Sequence, residues 1–232
     1  MARFLALAAA GMLLAPAAQA VEVTGGSVAL EYSGLIDSDT NDVNKATAKG
    51  SIEFGFDRAF SVQGDMAFTK FGLIDDSGNS LGLHAIWHLS DATSAGLYVG
   101  REEIDGHSNF YGLEMGHGFD RFAGEGYLGR VEDGDDHGTA FGLRGDYSIS
   151  DMMKVGMRFD TLNIEGTDLS RLSLTGEMAL ADNFTLTGEV GSADYDSGGS
   201  QTFVGVGVKM NFGATRGATF QQRGILEMAP GL

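Results

Sequence analysis

The sequence predicts an all-β protein, namely a transmembrane, antiparallel, up-and-down β-barrel of about twelve strands. Three observations favour this fold class: a leader for export, an aspartate-centred turn that recurs about every 31 residues, and alternation of apolar and polar residues between the turns. A fixed period of this length indicates a repeated supersecondary unit, and alternation with period two indicates strands. Each repeat is therefore interpreted as one β-hairpin.

The first 20 residues, MARFLALAAAGMLLAPAAQA, have the layout of a secretory signal peptide. Arg3 precedes an apolar run over 4–14, and Ala18-Gln19-Ala20 forms the small-x-small end at which such leaders are cleaved. A membrane anchor is the alternative, but it needs ~20 apolar residues. This run is shorter and is followed by the helix breaker Pro16. We expect cleavage after Ala20 and export of the chain from the cytoplasm.

The recurring turn is visible in GFDRAF at 55–60 and in GFDRFAG at 118–124. Turns of this kind lie 34, 29, 31 and 31 residues apart, and their central residues are Asp57, Asp91, Asp120, Asp151 and Asp182. Aspartate favours tight turns because its side chain accepts hydrogen bonds from nearby backbone N–H groups. We therefore expect five tight turns at one end of the barrel, where both ends of the barrel segment also lie.

Between the turns, apolar and polar residues alternate strictly. In RLSLTGEMAL at 171–180, for example, Leu172 and Leu174 fall on the face opposite Ser173. This pattern is typical of strands with one apolar and one polar face. The predicted strands are 26–35, 45–56, 60–72, 80–90, 93–102, 109–119, 122–131, 139–149, 153–162, 170–180, 184–193 and 202–212.

Six other connections, at the opposite end, are rich in Asp, Gly, Ser and Asn, and we expect them to be longer than the aspartate turns. Their sequences include DSDTND, DDSGNS, EIDGHS, EDGDDHG, EGTD and ADYDSGGS. They hold 16 of the 32 carboxylates, namely Asp37, Asp39, Asp42, Asp75, Asp76, Glu102, Glu103, Asp105, Glu132, Asp133, Asp135, Asp136, Glu165, Asp168, Asp194 and Asp196. A mouth surrounded by so many acids should concentrate cations.

Composition argues against several function classes. The chain has no cysteine, which removes disulfide frameworks and thiolate zinc sites. Without the leader it carries 14 basic and 32 acidic side chains, a formal charge of −18. Binding to nucleic acid requires Lys and Arg to neutralise phosphates, so nucleic acid is not expected as a partner. No cofactor is expected either.

A soluble sandwich or barrel would also alternate, but its apolar face would point inward. Three features favour the inverted arrangement in a membrane: export, strands long enough for ~10 residues at a tilt, and short turns that alternate with longer loops. Aromatic residues mark strand ends, as in an interfacial girdle: Phe56, Phe60, Phe119, Phe122, Phe184 and Phe212 at the turn end, and Tyr32 and Phe110 at the loop end. Lipid does not tolerate an unpaired strand edge, so the sheet should close.

The leader, the glycine-rich alternating strands, the acidic loops and the hairpin period resemble porin-type outer-membrane β-barrels of Gram-negative bacteria, over residues 21–212. The resemblance implies location in the cell outer membrane and contact with outer-membrane lipid and lipopolysaccharide. It also implies a channel for passive diffusion of small hydrophilic solutes, and it is compatible with a homo-oligomer. The strand that ends at Phe212 is similar to the terminal aromatic signal of that family.

One departure from that family is a C-terminal tail, GATRGATFQQRGILEMAPGL, over 213–232. Three placements are compatible with the sequence: the periplasm, the inside of the barrel, or pairing with the N-terminal VEVTGG. The chain is therefore divided into a signal peptide (1–20), a barrel (21–212) and a tail (213–232).

The inward face carries charges of both signs. The candidate pore-lining residues are Glu31, Lys49, Glu53, Asp65, His84, His88, Glu114, Glu125, Arg144, Asp146, Lys154, Arg158, Asp160, Arg171, Glu177, Glu189 and Lys209. Opposed charges in a wet channel give selectivity through the local field, and with the acidic loops they predict mild cation selectivity. Alternatively they pair and fill the interior of a structural or adhesion barrel with a plugged lumen. Eight strands enclose only side chains and sixteen enclose an aqueous channel, so twelve strands leave both interpretations open.

Enzyme and metal signatures are weak, and we expect neither catalytic residues nor metal ligands. A third alternative is a lipid-modifying outer-membrane enzyme. Enzymes of this kind use a His-x-Ser pair that faces the lipid near the cell surface. Here His88-Leu89-Ser90 falls at a turn and faces inward. DSDTND at 37–42 resembles the start of a calcium loop, but it has Asp42 in place of the required glycine and Ala48 in place of the bidentate acid. Weak divalent-cation binding shared between the acidic loops stays open.

Overall fold

The computed structural model describes residues 21–36, 43–72, 76–165, 167–195, 199–214 and 217–230. These residues form twelve strands and one helical turn: β1 (Glu22–Leu35), β2 (Asn44–Gly55), β3 (Phe60–Phe71), β4 (Ser77–Ser90), β5 (Thr93–Glu103), β6 (His107–Phe119), β7 (Phe122–Asp133), β8 (Asp136–Ser148), β9 (Met153–Ile164), β10 (Thr167–Ala181), β11 (Phe184–Tyr195), β12 (Gly199–Phe212) and α1 (Ile225–Met228). Each predicted strand is present.

The strands form one closed antiparallel barrel in which each strand pairs with its neighbours in sequence. Closure is made by β1 and β12, whose register places Ala29 opposite Lys209, while β2 places Lys49 opposite the same Ala29. Every strand therefore has two partners, and the sheet has no open edge, as a lipid environment requires. The predicted up-and-down barrel of twelve strands is confirmed.

The two faces of the sheet have inverted polarity relative to a soluble protein. Leu174 points outward and is 58% exposed, whereas its neighbour Ser173 points inward and is 3% exposed. Leu83 and His84 on β4 show the same contrast, with the leucine outside and the histidine buried inside. An apolar outer surface around a polar interior is the arrangement of a transmembrane barrel. Among the described residues, no helix has the length and apolar character to cross a membrane.

The turn end of the barrel, defined by the five aspartate turns, is built as predicted. Asp57 Oδ1 accepts hydrogen bonds from the backbone N–H groups of Ala59 (2.7 Å) and Phe60 (2.8 Å), which closes the β2–β3 turn. Aromatic rings pack beside these turns, with the Phe122 and Tyr147 centroids 4.7 Å apart. Amphipathic and aromatic rings at this level suit a membrane interface.

The loop end, opposite the turns, differs from the prediction at three of its six connections. The connections β5–β6, β7–β8 and β9–β10 cover only 104–106, 134–135 and 165–166, so they are as short as the turns. Gly134 has a φ of 63°, which a glycine adopts readily in so tight a turn. The strands continue through the acidic stretches, and seven acids predicted in loops belong to strands: Glu102, Glu103, Glu132, Asp133, Asp136, Asp168 and Asp194. Asp37, Asp39, Asp42, Asp75 and Asp196 lie outside the described residues.

The C-terminal tail lies inside the barrel. After β12 the chain reverses at Gly213, whose φ is 87° and where a Cβ would approach Gly25 Cα to 2.7 Å, so only glycine fits. The tail then passes Glu53 near the turn end and reaches Tyr195 at the loop end, where Tyr195 Oη donates to the carbonyl oxygen of Pro230 (2.9 Å). Of the three placements compatible with the sequence, the structure shows the second.

The alternation of faces can be tested by placing arginine on each face. Leu174→Arg should lower the free energy of unfolding by ~2–4 kcal/mol, because the side chain would enter the middle of the hydrocarbon layer. Thr187→Arg is the matched control, since Thr187 faces the wet part of the lumen. Chemical denaturation in lipid vesicles measures both. Equal losses at the two positions would contradict the assignment of faces.

Candidate functional site

All seventeen inward residues named from the sequence point into the lumen, where the tail divides them into two groups. Six lie on the side along which the tail runs: Glu53, Asp65, His84, His88, Glu114 and Glu125. Nine line a cavity on the other side of the tail: Glu31, Lys49, Arg144, Lys154, Arg158, Arg171, Glu177, Glu189 and Lys209. Asp146 and Asp160 pair with Arg144 and Arg158. Their role in permeation stays a prediction.

An acidic wall holds the first half of the tail. We define it as Glu53, Asp65, Glu102, Glu114 and Glu125, on β2, β3, β5, β6 and β7. Its carboxylates, with Gln63, accept hydrogen bonds from tail N–H groups: Glu53 from Thr219 (2.8 Å), Gln63 from Phe220 (3.1 Å), Glu125 from Gln221 (3.2 Å), and Glu102 from Ile225 (2.6 Å) and Leu226 (3.1 Å). A chain segment with no strand partner has its donors satisfied in this way.

Arg223 is a tail side chain that this wall holds by charge-assisted contacts. Its guanidinium donates to Glu114 Oε2 through Nε (3.1 Å) and Nη2 (2.9 Å), and it also contacts Glu125 Oε1. The guanidinium carbon lies 4.4 Å from the ring centroid of Tyr127 and 5.8 Å from that of Tyr98. Charge-assisted hydrogen bonds and aromatic faces both stabilise a guanidinium.

His84 extends this network on the wall side. Its Nε2 lies 2.8 Å from Asp65 Oδ2 and its Nδ1 lies 2.6 Å from Glu114 Oε1. Both ring nitrogens face carboxylates, which only accept, so the ring donates from both and carries the positive charge of an imidazolium. The Phe220 ring stacks on it at 6.3 Å. Charges of opposite sign therefore alternate from Asp65 to Arg223.

The second half of the tail is held through its carbonyl oxygens. Lys45 Nζ donates to the carbonyl of Ala229 at 2.5 Å and also to that of Leu226. Arg171 Nη1 donates to the carbonyl of Glu227 at 2.7 Å. The tail thus meets acids where its N–H groups need acceptors and bases where its carbonyls need donors.

Glu227 is the acidic anchor of the tail. Its carboxylate lies 3.1 Å from Lys49 Nζ and 3.0 Å from Arg158 Nη1, on β2 and β9. Lys49 also pairs with Glu31 at 2.8 Å, and Arg158 with Asp160 at 2.5 Å. Glu227 therefore forms two ion pairs across the lumen. Removal of one partner would leave a buried charge unpaired, which is strongly unfavourable.

An apolar seal closes the lumen at the loop end. Met228 and Ala229, both nearly fully buried, pack into a cluster with inward residues of the surrounding strands: Leu35, Tyr98, Phe110, Val131, Ala140, Leu162, Ile164, Leu169, Ala193 and Phe203. Burial of apolar surface stabilises this contact without directional bonds. The tail therefore blocks the loop-end mouth.

A cavity of about 410 Å³ remains beside the tail. It extends from Asp151 and Asp182 at the turn end to Pro230 near the loop end. Its basic wall consists of Lys49, Arg144, Lys154, Arg158, Arg171 and Lys209, most of them paired with acids, as Lys209 is with Glu177 at 3.3 Å. A volume of this order accommodates one small ligand or a group of waters.

Sequence reasoning missed several residues that shape the lumen. Glu102, the last residue of the predicted strand 93–102, was counted among the loop acids, although alternation from Tyr98 puts it on the inward face of β5. Tyr98 and Tyr127 obey the same alternation and could have been found from it. Arg223 and Glu227 carried no local signal, because their partners are far away in the sequence.

The His-x-Ser pattern forms no paired site. His88 lies between Ser61 Oγ and Ser94 Oγ, each at 2.9 Å, whereas Ser90 Oγ accepts a hydrogen bond from Ala92 N in the turn. Within the described parts of the chain, no cluster of three or more His, Asp or Glu side chains is arranged to hold a metal ion. The calcium-like stretch 37–42 lies outside the described residues.

Comparison with solved structures places the fold among outer-membrane porins. A KdgM porin has 12% identity and a TM-score of 0.60, with 80% of this chain and 99% of that chain covered. A NanC porin has 8% identity and a TM-score of 0.62, over 80% and 98%. The COG4313 outer membrane channel from Pseudomonas putida F1 has 9% identity and a TM-score of 0.61, over 86% and 100%. No family model matches the sequence, and no curated protein does.

The hold of Glu227 on the tail can be measured with a reporter cysteine, because the chain has none of its own. In the Met228→Cys background, Glu227→Gln should raise the labelling rate by a water-soluble thiol reagent at least tenfold, equivalent to ~1.4 kcal/mol. Without the charge of this carboxylate, Lys49 and Arg158 each lose their ion pair with the tail. Glu177→Gln is the matched control, since its pairs with Arg144 and Lys209 do not touch the tail. Equal labelling in both variants would show that Glu227 does not anchor the tail.

Proposed function

We propose that the protein is a porin-like channel of the outer membrane for passive diffusion of small hydrophilic solutes, closed in this conformation by its C-terminal tail. The observation that carries this proposal is a charged cavity beside a tail that is held by side chains and not by strand pairing. A lumen built only for structure would need no water-filled space lined by six bases.

Location in the outer membrane is supported by the apolar outer face and by the porin fold of the similar structures. The leader of residues 1–20 and cleavage after Ala20 stay predictions that agree with this location. In that membrane the outer face would contact lipid and lipopolysaccharide.

Solute passage requires the tail to move. With the tail in place, the loop-end mouth is sealed by Met228 and Ala229, and the cavity takes one small molecule at most. The tail is attached by polar contacts and a small apolar cluster, which can separate without breaking a strand pair. Its departure would join the cavity to the acidic side of the lumen.

Mild cation selectivity is the second part of the proposal. When the tail leaves, the acidic wall faces water, and further acids stand at the loop end, among them Asp76 and Asp105. When protonated, Asp105 donates a hydrogen bond to the neighbouring Asp76, and this bond together with the negative charge of Asp76 raises the pKa of Asp105. Asp105 therefore becomes neutral at a higher pH than an isolated aspartate. The basic wall opposes the acids, which keeps the preference small.

The solute itself is not fixed by the fold. One similar structure is a KdgM porin in complex with disordered oligogalacturonate, and another is the CymD monoaromatic hydrocarbon channel. Barrels of one architecture thus serve chemically different solutes, since function resides in the lining.

A second candidate function is a structural or adhesion barrel with a permanently plugged lumen. The observation that favours it is the apolar seal, together with the many hydrogen bonds along the tail. In this alternative the tail never leaves, and the 410 Å³ cavity is a water-filled gap.

Conductance in planar bilayers separates the two functions. The full chain should show small or rare conducting steps, and the double variant Arg223→Gln/Glu227→Gln should raise the open probability at least tenfold, because it removes both charged anchors of the tail. Arg144→Gln/Glu177→Gln is the matched control, since this pair lies on the cavity side and does not touch the tail. A silent double variant that is folded and inserted would favour the plugged barrel.

The reversal potential of the open variant under a KCl gradient tests selectivity. The sign of the reversal potential should show a preference for K⁺ at low salt. This preference should fade at high salt, because the screening length falls from ~10 Å at 0.1 M to ~3 Å at 1 M. Preference should also weaken as the pH is lowered and the acids become neutral. Selectivity for Cl⁻ would mean that the basic wall dominates, and the cation proposal would be wrong.

A further inference from the structure

The surroundings of Arg223 form a complete recognition site for a guanidinium group. Two carboxylates, Glu114 and Glu125, accept hydrogen bonds from it, and its central carbon lies over two aromatic rings, Tyr98 and Tyr127. The Arg223 side chain is only 6% exposed. The pocket therefore offers a cation both carboxylate acceptors and aromatic rings.

The barrel, and not the tail, builds this pocket. The Tyr98 hydroxyl end packs closely against β7 because a glycine lies at the contact: a Cβ at Gly129 would approach Tyr98 Oη to 2.1 Å. Tyr127 lies over Gly142 in the same way, where a Cβ would come within 2.2 Å of the ring. Glycine permits such close approach of a ring to the backbone. The two rings are thus positioned by strands that stay in place when the tail moves.

The carboxylates are also fixed by the barrel. Glu114 accepts from His84 at 2.6 Å, and His84 is held in turn by Asp65 at 2.8 Å. The Glu114 side chain has no exposed surface, so without Arg223 one oxygen of a buried carboxylate would lose its partner. A buried charge that loses its partner is strongly unfavourable, which gives the empty pocket a demand for a cation.

The geometry favours guanidinium over ammonium. A guanidinium is planar, donates in a fork to carboxylates and stacks on aromatic faces, whereas an ammonium is a compact, strongly hydrated point charge. Arg223 donates twice to Glu114 Oε2, and its guanidinium carbon lies over the Tyr127 ring, 4.4 Å from the centroid. An amine could satisfy the charge but not the stacking.

We infer that Glu114, Glu125, Tyr98 and Tyr127 form a binding site for a guanidinium-bearing solute, which Arg223 occupies as an internal stand-in while the tail is docked. The site indicates the class of solute that the proposed channel would carry. Only the transport of this solute rests on the proposed function. Binding itself does not depend on conduction. In the open channel a guanidinium solute would compete with the tail for the acidic wall and favour the open state.

The test uses the full chain carrying Arg223→Ala, which empties the site. Calorimetric titration with methylguanidinium in detergent micelles should show saturable binding of one molecule per chain, at least tenfold tighter than methylammonium. The unaltered chain should bind methylguanidinium at least tenfold more weakly, because the solute must displace Arg223 from the site. The double variant Arg223→Ala/Glu114→Gln should bind methylguanidinium at least tenfold more weakly than Arg223→Ala, because one carboxylate charge is missing.

Arg158→Ala is the matched control, because it removes another tail-contacting guanidinium that pairs with Glu227 and Asp160 but has no aromatic enclosure. Equal binding of methylguanidinium by Arg158→Ala, or none by Arg223→Ala, would overturn the inference. If Arg223→Ala does not fold, Arg223→Gln is used, and failure of methylguanidinium to bind it also overturns the site. If the protein conducts but does not bind methylguanidinium, the binding site is contradicted and the channel function is not. If it binds methylguanidinium but does not conduct, the channel function is contradicted and the binding site is not.

Discussion

The structure depends on the need to satisfy the backbone of a segment that crosses the lumen without a strand partner. Buried N–H and C=O groups require hydrogen bonds, and a barrel of twelve strands is wider than one that side chains alone can fill. Here carboxylates of the acidic wall accept from the tail's N–H groups, while Lys45 and Arg171 donate to its carbonyls. The acidic wall, Lys45 and Arg171 together meet this requirement.

The groups that hold the tail are also the groups that a solute would meet after its departure. In the proposed channel, a carboxylate such as Glu114, which pairs with Arg223 in this conformation, would become part of the wet lining when the tail leaves. Closure and selectivity would then depend on one set of side chains. This coupling explains how a barrel with a filled lumen can still be organised as a channel, since the tail neutralises the lining that it covers.

Much of the fold could be predicted because local patterns determine it. Alternation fixed the inward position of residues such as His84 and Lys209, and the aspartate turns set the hairpin order. The tail could not be placed, because its contacts are non-local: Arg223 and Glu114 are 109 residues apart in sequence, and Glu227 and Lys49 are 178 apart. The lengths of three of the six loops were wrong for a different reason. Acid- and glycine-rich composition, which is typical of turns, hid the continuing strand that carries Glu132 and Asp133 into β7.

The central claim is that conduction requires residues 217–230 to leave the lumen. It is tested most directly by single-channel recording of a Met228→Cys variant while a membrane-impermeant thiol reagent is applied at the loop end. The account predicts that modification occurs only during conducting intervals, at a rate proportional to open probability, and that modified channels stay open because the adduct cannot re-enter the apolar seal. Steady conduction while Cys at position 228 stays protected would contradict the account.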